Sequence, residues 1–227
     1  LDLLYGLPTQ SLDKWRITLE KALELEPEHL SLYALTLDEN VPLAQWIASG
    51  KLPAPDEDLT ADMYCLAEEM LEKAGYEHYE ISNWAKPGFA SRHNIRYWLN
   101  LPYLGFGAGA HSFWRGMRWH NVMAPEEYIC ILSSAEASGF PSPVAREVET
   151  ITLRIEMAET IILGLRLVKE GLSFERFYNR FGQDLRELYG SQIEELVSLG
   201  LLEKDGERIR LSPRGRLLGN EVFQRFL

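Results

Sequence analysis

The sequence predicts an α/β protein that closes with a helical, winged-helix-like unit, and three observations carry that reading. A strand, helix, strand pattern opens the chain, an α+β stretch with apolar helix faces and short β-rich runs follows, and three helical segments leading into an Asp-Gly hairpin end it. The 227 residues are 46% hydrophobic and 25% charged, enough to bury a core and far from the make-up of disordered or collagen-like chains.

Leu1 to Tyr5, running into Gly6-Leu7-Pro8, is the continuous apolar run expected of a strand buried on both faces. Ser11 is a helix N-cap, and Leu12, Trp15, Leu19, Ala22 and Leu23 recur at helical spacing until Pro27. Leu30 to Leu35 supplies the second strand, so residues 1–35 read as one right-handed parallel βαβ unit. One such unit cannot cover both faces of a parallel sheet, and the Leu1-Asp2-Leu3 start is therefore expected to continue a larger protein.

A Pro-containing stretch at 52–55 marks a boundary. Met63, Leu66, Ala67, Met70, Leu71 and Ala74 then trace a helix face that Gly75 ends, Tyr76 to Ser82 reads as a strand, and 85–91 as a loop. Residues 92–121 are too rich in His, Asn, Trp, Tyr and Gly for a structural linker and read as functional loops. Pro141 and Pro143 mark a second boundary. Beyond it come a long helix at 151–167, a short one at 174–181 and a third at 185–199, ended by Gly200. Asp205-Gly206 turns a hairpin within 201–211, and Ser212-Pro213 opens a last helix at N-cap and N1. The expected units are thus 1–53, 54–143 and 144–227.

A net charge of −11 argues against general affinity for nucleic acid or anionic membranes. Residues 1–145 hold 10 basic and 20 acidic side chains, whereas 146–227 hold 13 and 14. Within the near-neutral tail, Arg208, Arg210, Arg214 and Arg216 form a basic cluster, read as a solvated wing paired with nearby acids, with phosphate contact as the competing reading. Cys65 and Cys130 lie too far apart in sequence for a disulfide framework or a metal knuckle, which suits a reducing cytoplasm. No apolar run reaches the length of a membrane span.

Several residues are candidates for chemistry. Asp2 is a carboxylate in an apolar strand, where an unpaired charge is costly, so it either contacts a ligand or satisfies a structural hydrogen bond. Ligands of α/β folds gather at the carboxyl ends of strands, where Asp2, Tyr5 and Thr36 are expected to share a pocket. Ser91-Arg92-His93-Asn94-Ile95-Arg96-Tyr97-Trp98 concentrates imidazole, amide, phenol and indole, a set suited to a flat, partly charged aromatic ligand, since an imidazole can ligate iron and Tyr or Trp can stack on a macrocycle. The alternative is a partly buried histidine held by a carbonyl among core aromatics. Gly105 to His111 is glycine-rich without the Lys-Ser/Thr of a phosphate loop, and reads as close backbone packing or as a pocket wall with His111 at its rim. His120 is a weaker candidate, and His29 and His78 read as structural. No cluster-spaced cysteines, His-x-x-x-His pair or Gly-x-Ser-x-Gly elbow is found.

The strings Asp2 to Pro8, Leu30 to Tyr33, Gly75 to Asn83, His93 to Trp98, Tyr103 to Ser112 and Arg214 to Phe223 resemble, in order and across essentially the whole chain, the HemW family of radical-SAM heme chaperones, also described as oxygen-independent coproporphyrinogen III oxidase-like. The resemblance implies a partial (β/α)6 barrel, a [4Fe-4S] cluster on a Cys-x-x-x-Cys-x-x-Cys loop after the first strand, bound S-adenosylmethionine and a C-terminal domain over the barrel. This chain would begin at the fifth barrel strand, with the cluster loop upstream. Asp2 maps to a contact of S-adenosylmethionine. Thr36 and His111 map by position to pocket contacts whose residue types differ. His93, Asn94 and Tyr97 match the His-Asn-x-x-Tyr pattern that sets heme-binding members apart from true coproporphyrinogen dehydrogenases.

The function so implied is a cytoplasmic protein that binds heme and passes it to acceptor proteins. The alternative is oxidative decarboxylation of coproporphyrinogen III by a radical derived from S-adenosylmethionine, and a third reading, from the tail alone, is a winged-helix binding module.

Overall fold

The computed structural model describes residues 1–134 and 140–227. Strand β1 (Asp2–Tyr5) runs parallel to β2 (His29–Ala34), with Asp2 opposite Ser31 and Tyr5 opposite Ala34. A parallel pair needs a crossover, and α1 (Leu12–Glu24) provides it. The Ser11 hydroxyl caps α1 by accepting from the Lys14 amide at 3.2 Å. After α2 (Pro42–Ala48), α3 (Glu57–Lys73) begins at Asp56, whose carboxylate accepts from the Leu59 amide at 3.0 Å. The chain then enters β3 (Glu77–Glu80) and returns at once in β4 (Asn83–Ala85), antiparallel to β3 and to β2. The sheet order is β1-β2-β4-β3.

Helices α1 and α3 cover one face of this sheet. Trp15, Leu19, Leu30, Leu32, Met63, Leu71 and Trp84 form the core there, and the Trp15 indole N–H donates to the Met63 carbonyl at 2.9 Å. Within this chain β1 ends the sheet, and its alternate residues Asp2 and Leu4 are exposed. The strand expected at 76–82 is β3, and a turn at Ile81-Ser82 leads it into a further strand, β4, that local sequence does not signal.

Residues 92–121, expected to be loops, hold α4 (Arg92–Trp98), β5 (His111–Trp114) and β6 (Met117–Asn121). Ser91 caps α4 by accepting from the Asn94 amide at 3.2 Å. Arg115 and Gly116, at φ 52° and 71°, make the two-residue turn that joins β5 to β6. Helix α5 (Pro125–Ser134) follows, and β7 (Ala145–Thr150) completes an antiparallel sheet of order β5-β6-β7.

The remainder runs α6 (Leu153–Leu165), β8 (Leu172–Ser173), α7 (Phe174–Phe181), α8 (Leu185–Ser198), β9 (Leu202–Lys204) and β10 (Arg208–Leu211). Helix, strand, two helices and a hairpin, with strand order β8-β10-β9, is a winged-helix arrangement. Its core gathers Ile161, Leu165, Phe177, Leu185, Ile193 and Ile209. The single closing helix expected from Ser212-Pro213 is two short ones, α9 (Pro213–Leu217) and α10 (Gly219–Phe223), and a final turn returns Phe226 to that core.

Candidate functional site

Alternation along β2 and β4 sends Leu30, Leu32 and Trp84 toward the covering helices and Ser31, Tyr33 and Asn83 to the opposite face. On that opposite face lies a cavity of about 470 Å³. Tyr33, Glu80, Ser82 and Asn83 line it from the sheet, Asn94, Tyr97 and Trp98 from α4, and Arg166 from the C-cap of α6. One turn of helix explains the α4 contribution. Asn94 and Trp98 share one stripe, and His93 and Tyr97 the next. The His93 ring meets the Tyr97 ring edge-on at 4.9 Å between centroids, while His93 itself stays exposed and makes no hydrogen bond among the described residues.

The cavity wall carries several buried polar atoms that have no partner among the described residues. Glu80 is fully buried; one of its oxygens accepts from the Asn83 side-chain amide and the other is unpartnered there. Asn83 Oδ1, Trp98 Nε1 and Arg166 Nε are likewise unpartnered among the described residues. Burial pushes the Glu80 carboxyl up, against the opposing pull of the Asn83 amide and the Arg166 charge. Burial also pushes the Arg166 guanidinium down, with Glu80 opposing. The guanidinium lies over the Trp98 ring, 4.5 Å from its centroid. Beneath α4, the Tyr79 hydroxyl and His29 Nε2 are 2.8 Å apart, and burial pushes the Tyr79 phenol up to about 12.

A larger cavity, about 990 Å³, opens at the carboxyl ends of β1 and β2. Tyr5, Thr36, Thr60, Tyr64 and Arg216 are among its walls, and it shares Tyr33, Ser82 and Arg166 with the first. Tyr97 also lines a third, of about 300 Å³, beside Arg118 and Glu159, which form a bidentate pair at 2.7 Å.

The structure therefore brings Asn94 and Tyr97 to one cavity, sets His93 on the open side of the same helix, and leaves Thr36 at the larger cavity. Asp2 and His111 line neither. Asp2 sits at the amino end of β1, opposite Ser31, and is exposed within this chain. His111 is exposed beside His120, their rings 5.5 Å apart, and His120 Nε2 is 3.4 Å from Glu147. The glycine-rich segment closes on its own chain. The Asn121 amide donates to the Gly105 and Gly107 carbonyls at 3.3 and 2.8 Å, and a Cβ on Gly105 would collide with the His111 carbonyl. That is close backbone packing.

Cys65 and Cys130 are exposed on α3 and α5, and among the described residues no three His, Cys, Asp or Glu side chains are placed to hold a metal. These residues do not fit an iron–sulfur cluster. Sequence reasoning passed over Tyr33, Glu80, Asn83 and Arg166. An acid inside the apolar run Tyr79-Glu80-Ile81 was the available signal for Glu80, while Arg166 reads only as the end of a long helix.

Residues 151–218 match the HemN C-terminal domain family. Over its whole length the chain is 38% identical to "Heme chaperone HemW" of Lactococcus lactis and 37% identical to that of Bacillus subtilis, covering 58% of each. It is 34% identical over 226 residues to "Radical S-adenosyl methionine domain-containing protein 1, mitochondrial" of Mus musculus, covering 95% of this chain and 50% of that protein. The solved structure described as "Coproporphyrinogen III oxidase (HemN) from Escherichia coli is a Radical SAM enzyme" matches 99% of this chain and 54% of its own, with TM-score 0.73 and 19% identity. The last is a likeness of fold, and the α/β architecture here is that of the C-terminal part of the HemN fold. The chain spans a little over half the length of the curated relatives it matches.

Proposed function

Because the chain is HemW-like from end to end and carries the HemN C-terminal domain, we propose that it is the heme-binding portion of a heme chaperone, with α4 presenting the side chains that meet the porphyrin. One observation carries the reading: His93, Asn94 and Tyr97 stand on one short helix at the edge of a cavity walled by Tyr33, Tyr97 and Trp98. An exposed imidazole with no internal partner is free to ligate iron, the Tyr97 ring against it limits its rotation, and flat aromatic walls suit a macrocycle.

On this reading heme is cargo, handed on to acceptor proteins. Asp2, Thr36 and His111 would contribute from the side of S-adenosylmethionine. The [4Fe-4S] cluster needs several thiolates at short spacing. It is therefore assigned to the part of the relatives that this chain does not span. No helix among the described residues is long and apolar enough to cross a membrane, and two exposed, unpaired cysteines suit a reducing cytoplasm.

Hemin titration followed in the Soret band tests the proposal. The chain is expected to bind hemin, with His93→Ala weakening it about tenfold and Tyr97→Phe leaving most of the affinity. An unchanged titration for His93→Ala would remove the histidine from the site. Efficient turnover of coproporphyrinogen III by the longer, cluster-loaded protein would favour the oxidase reading instead.

A further inference from the structure

Arg166 stands where both large cavities meet, sharing that position with Tyr33 and Ser82. Its guanidinium rests on the Trp98 face, and among the described residues its side chain makes no hydrogen bond and no ion pair. Its Nε is buried and unpartnered among the described residues, a cost that a bound anion would recover. Glu80 is the acid nearest at hand in the same wall, yet it does not pair with Arg166. One of its oxygens is taken by the Asn83 amide, and the other is unpartnered among the described residues.

We infer that Arg166 is the carboxylate-recognition residue of this site, receiving an ionised side-chain carboxylate of the bound tetrapyrrole while the Trp98 indole holds the guanidinium in place. The inference rests on the heme reading and adds to it the part of the ligand that is read. The unpartnered Trp98 Nε1 and Asn83 Oδ1 are further polar atoms in the same wall. Arginine suits the task because its planar fork matches both oxygens of a carboxylate.

The test compares hemin with hemin dimethyl ester, which keeps iron and macrocycle and removes both negative charges. The unaltered chain is expected to bind the ester about tenfold more weakly than hemin, the loss expected for one charge-assisted contact. Arg166→Met should lower hemin affinity to the ester level and leave the ester unchanged, whereas His93→Ala should weaken both alike. Equal binding of hemin and ester by the unaltered chain overturns the role of Arg166 and leaves the heme site standing. Binding of neither overturns the heme reading and this inference with it. Should Arg166→Met fail to fold, the ester comparison on the unaltered chain decides the question alone.

Discussion

Arg216 Nη2 lies 3.0 Å from Oε1 of Glu68, and Nδ1 of His78 lies 2.9 Å from the same oxygen. Arg216 belongs to α9, Glu68 to α3 and His78 to β3, so a single carboxylate ties the end of the chain to the first sheet and its covering helix. The His78 ring is stacked on Trp84 with centroids 4.0 Å apart, which fixes the third member of the group.

Removing either end of this bridge should destabilise the protein. The side chains of Arg216 and Glu68 are only 15% and 21% exposed, so the pair is worth more than a surface ion pair. Arg216→Met and Glu68→Gln are each expected to cost about 1–3 kcal/mol in urea melts, and the double variant less than their sum. Full additivity would mean that the two groups do not act together.

Glu80 should give the stability a pH dependence of known sign. Burial raises its carboxyl in the folded chain, so between the ordinary glutamate range and that raised value the folded state binds more protons than the unfolded one. Stability is then expected to fall as pH rises through this window and to level off above it. Glu80→Gln should flatten the decline and gain most at the high end. Denaturant midpoints across pH 4–8 check this against the unaltered chain, and an equal slope in both would exclude Glu80 as the source.

Two glycines should respond unequally to alanine. A Cβ on Gly215 would collide with the Leu201 carbonyl oxygen, where α9 packs on the chain leading into β9, whereas one on Gly190 within α8 meets nothing within 4 Å. Gly215→Ala is expected to cost about 3 kcal/mol, and Gly190→Ala, beside the break in α8 at Tyr189, to stay within about 1 kcal/mol of the unaltered chain. Thermal melts of the two variants make the comparison.

The wing is not expected to bind duplex DNA. Arg208 pairs with Glu207 at 3.2 Å, Arg210 lies 3.7 Å from Glu203 and 3.9 Å from Asp205, and Arg216 is held by Glu68. Arg214 donates to the Leu199 carbonyl at 3.2 Å. Anisotropy of a labelled duplex at low salt should stay flat. Salt-sensitive binding lost in Arg208→Ala would revive the winged-helix module reading.

Much of the fold was legible because local signals and burial agreed. The Ser11 cap, the Trp15, Leu19 and Ala22 spacing and the parallel return at Leu30 need no distant information, and the same holds for the helices and hairpin of the tail. Helix α4 was missed although Ser91 stood three residues before Asn94 as a cap, because polar and aromatic side chains masked any apolar stripe. Strand β4 was missed because three residues cannot show a period, and Asn83-Trp84-Ala85 becomes a strand only against β2 and β3.

The candidate site divides the same way. His93, Asn94 and Tyr97 could be picked out by chemistry within one short string. Glu80 and Arg166 could not, because each is unremarkable in its own segment and gains meaning only where the two share a wall.

By itself the sequence determined the α/β class, the opening crossover and the winged-helix order, since all of these follow from spacing and residue type. Only the tertiary structure decided that β4 returns between β2 and β3, that Asn94 and Tyr97 share a cavity with Glu80, and that an arginine at the end of α6 lies on Trp98 with no side-chain partner among the described residues. Burial and pairing depend on which distant segments meet, and that information does not reside in any one stretch of the chain.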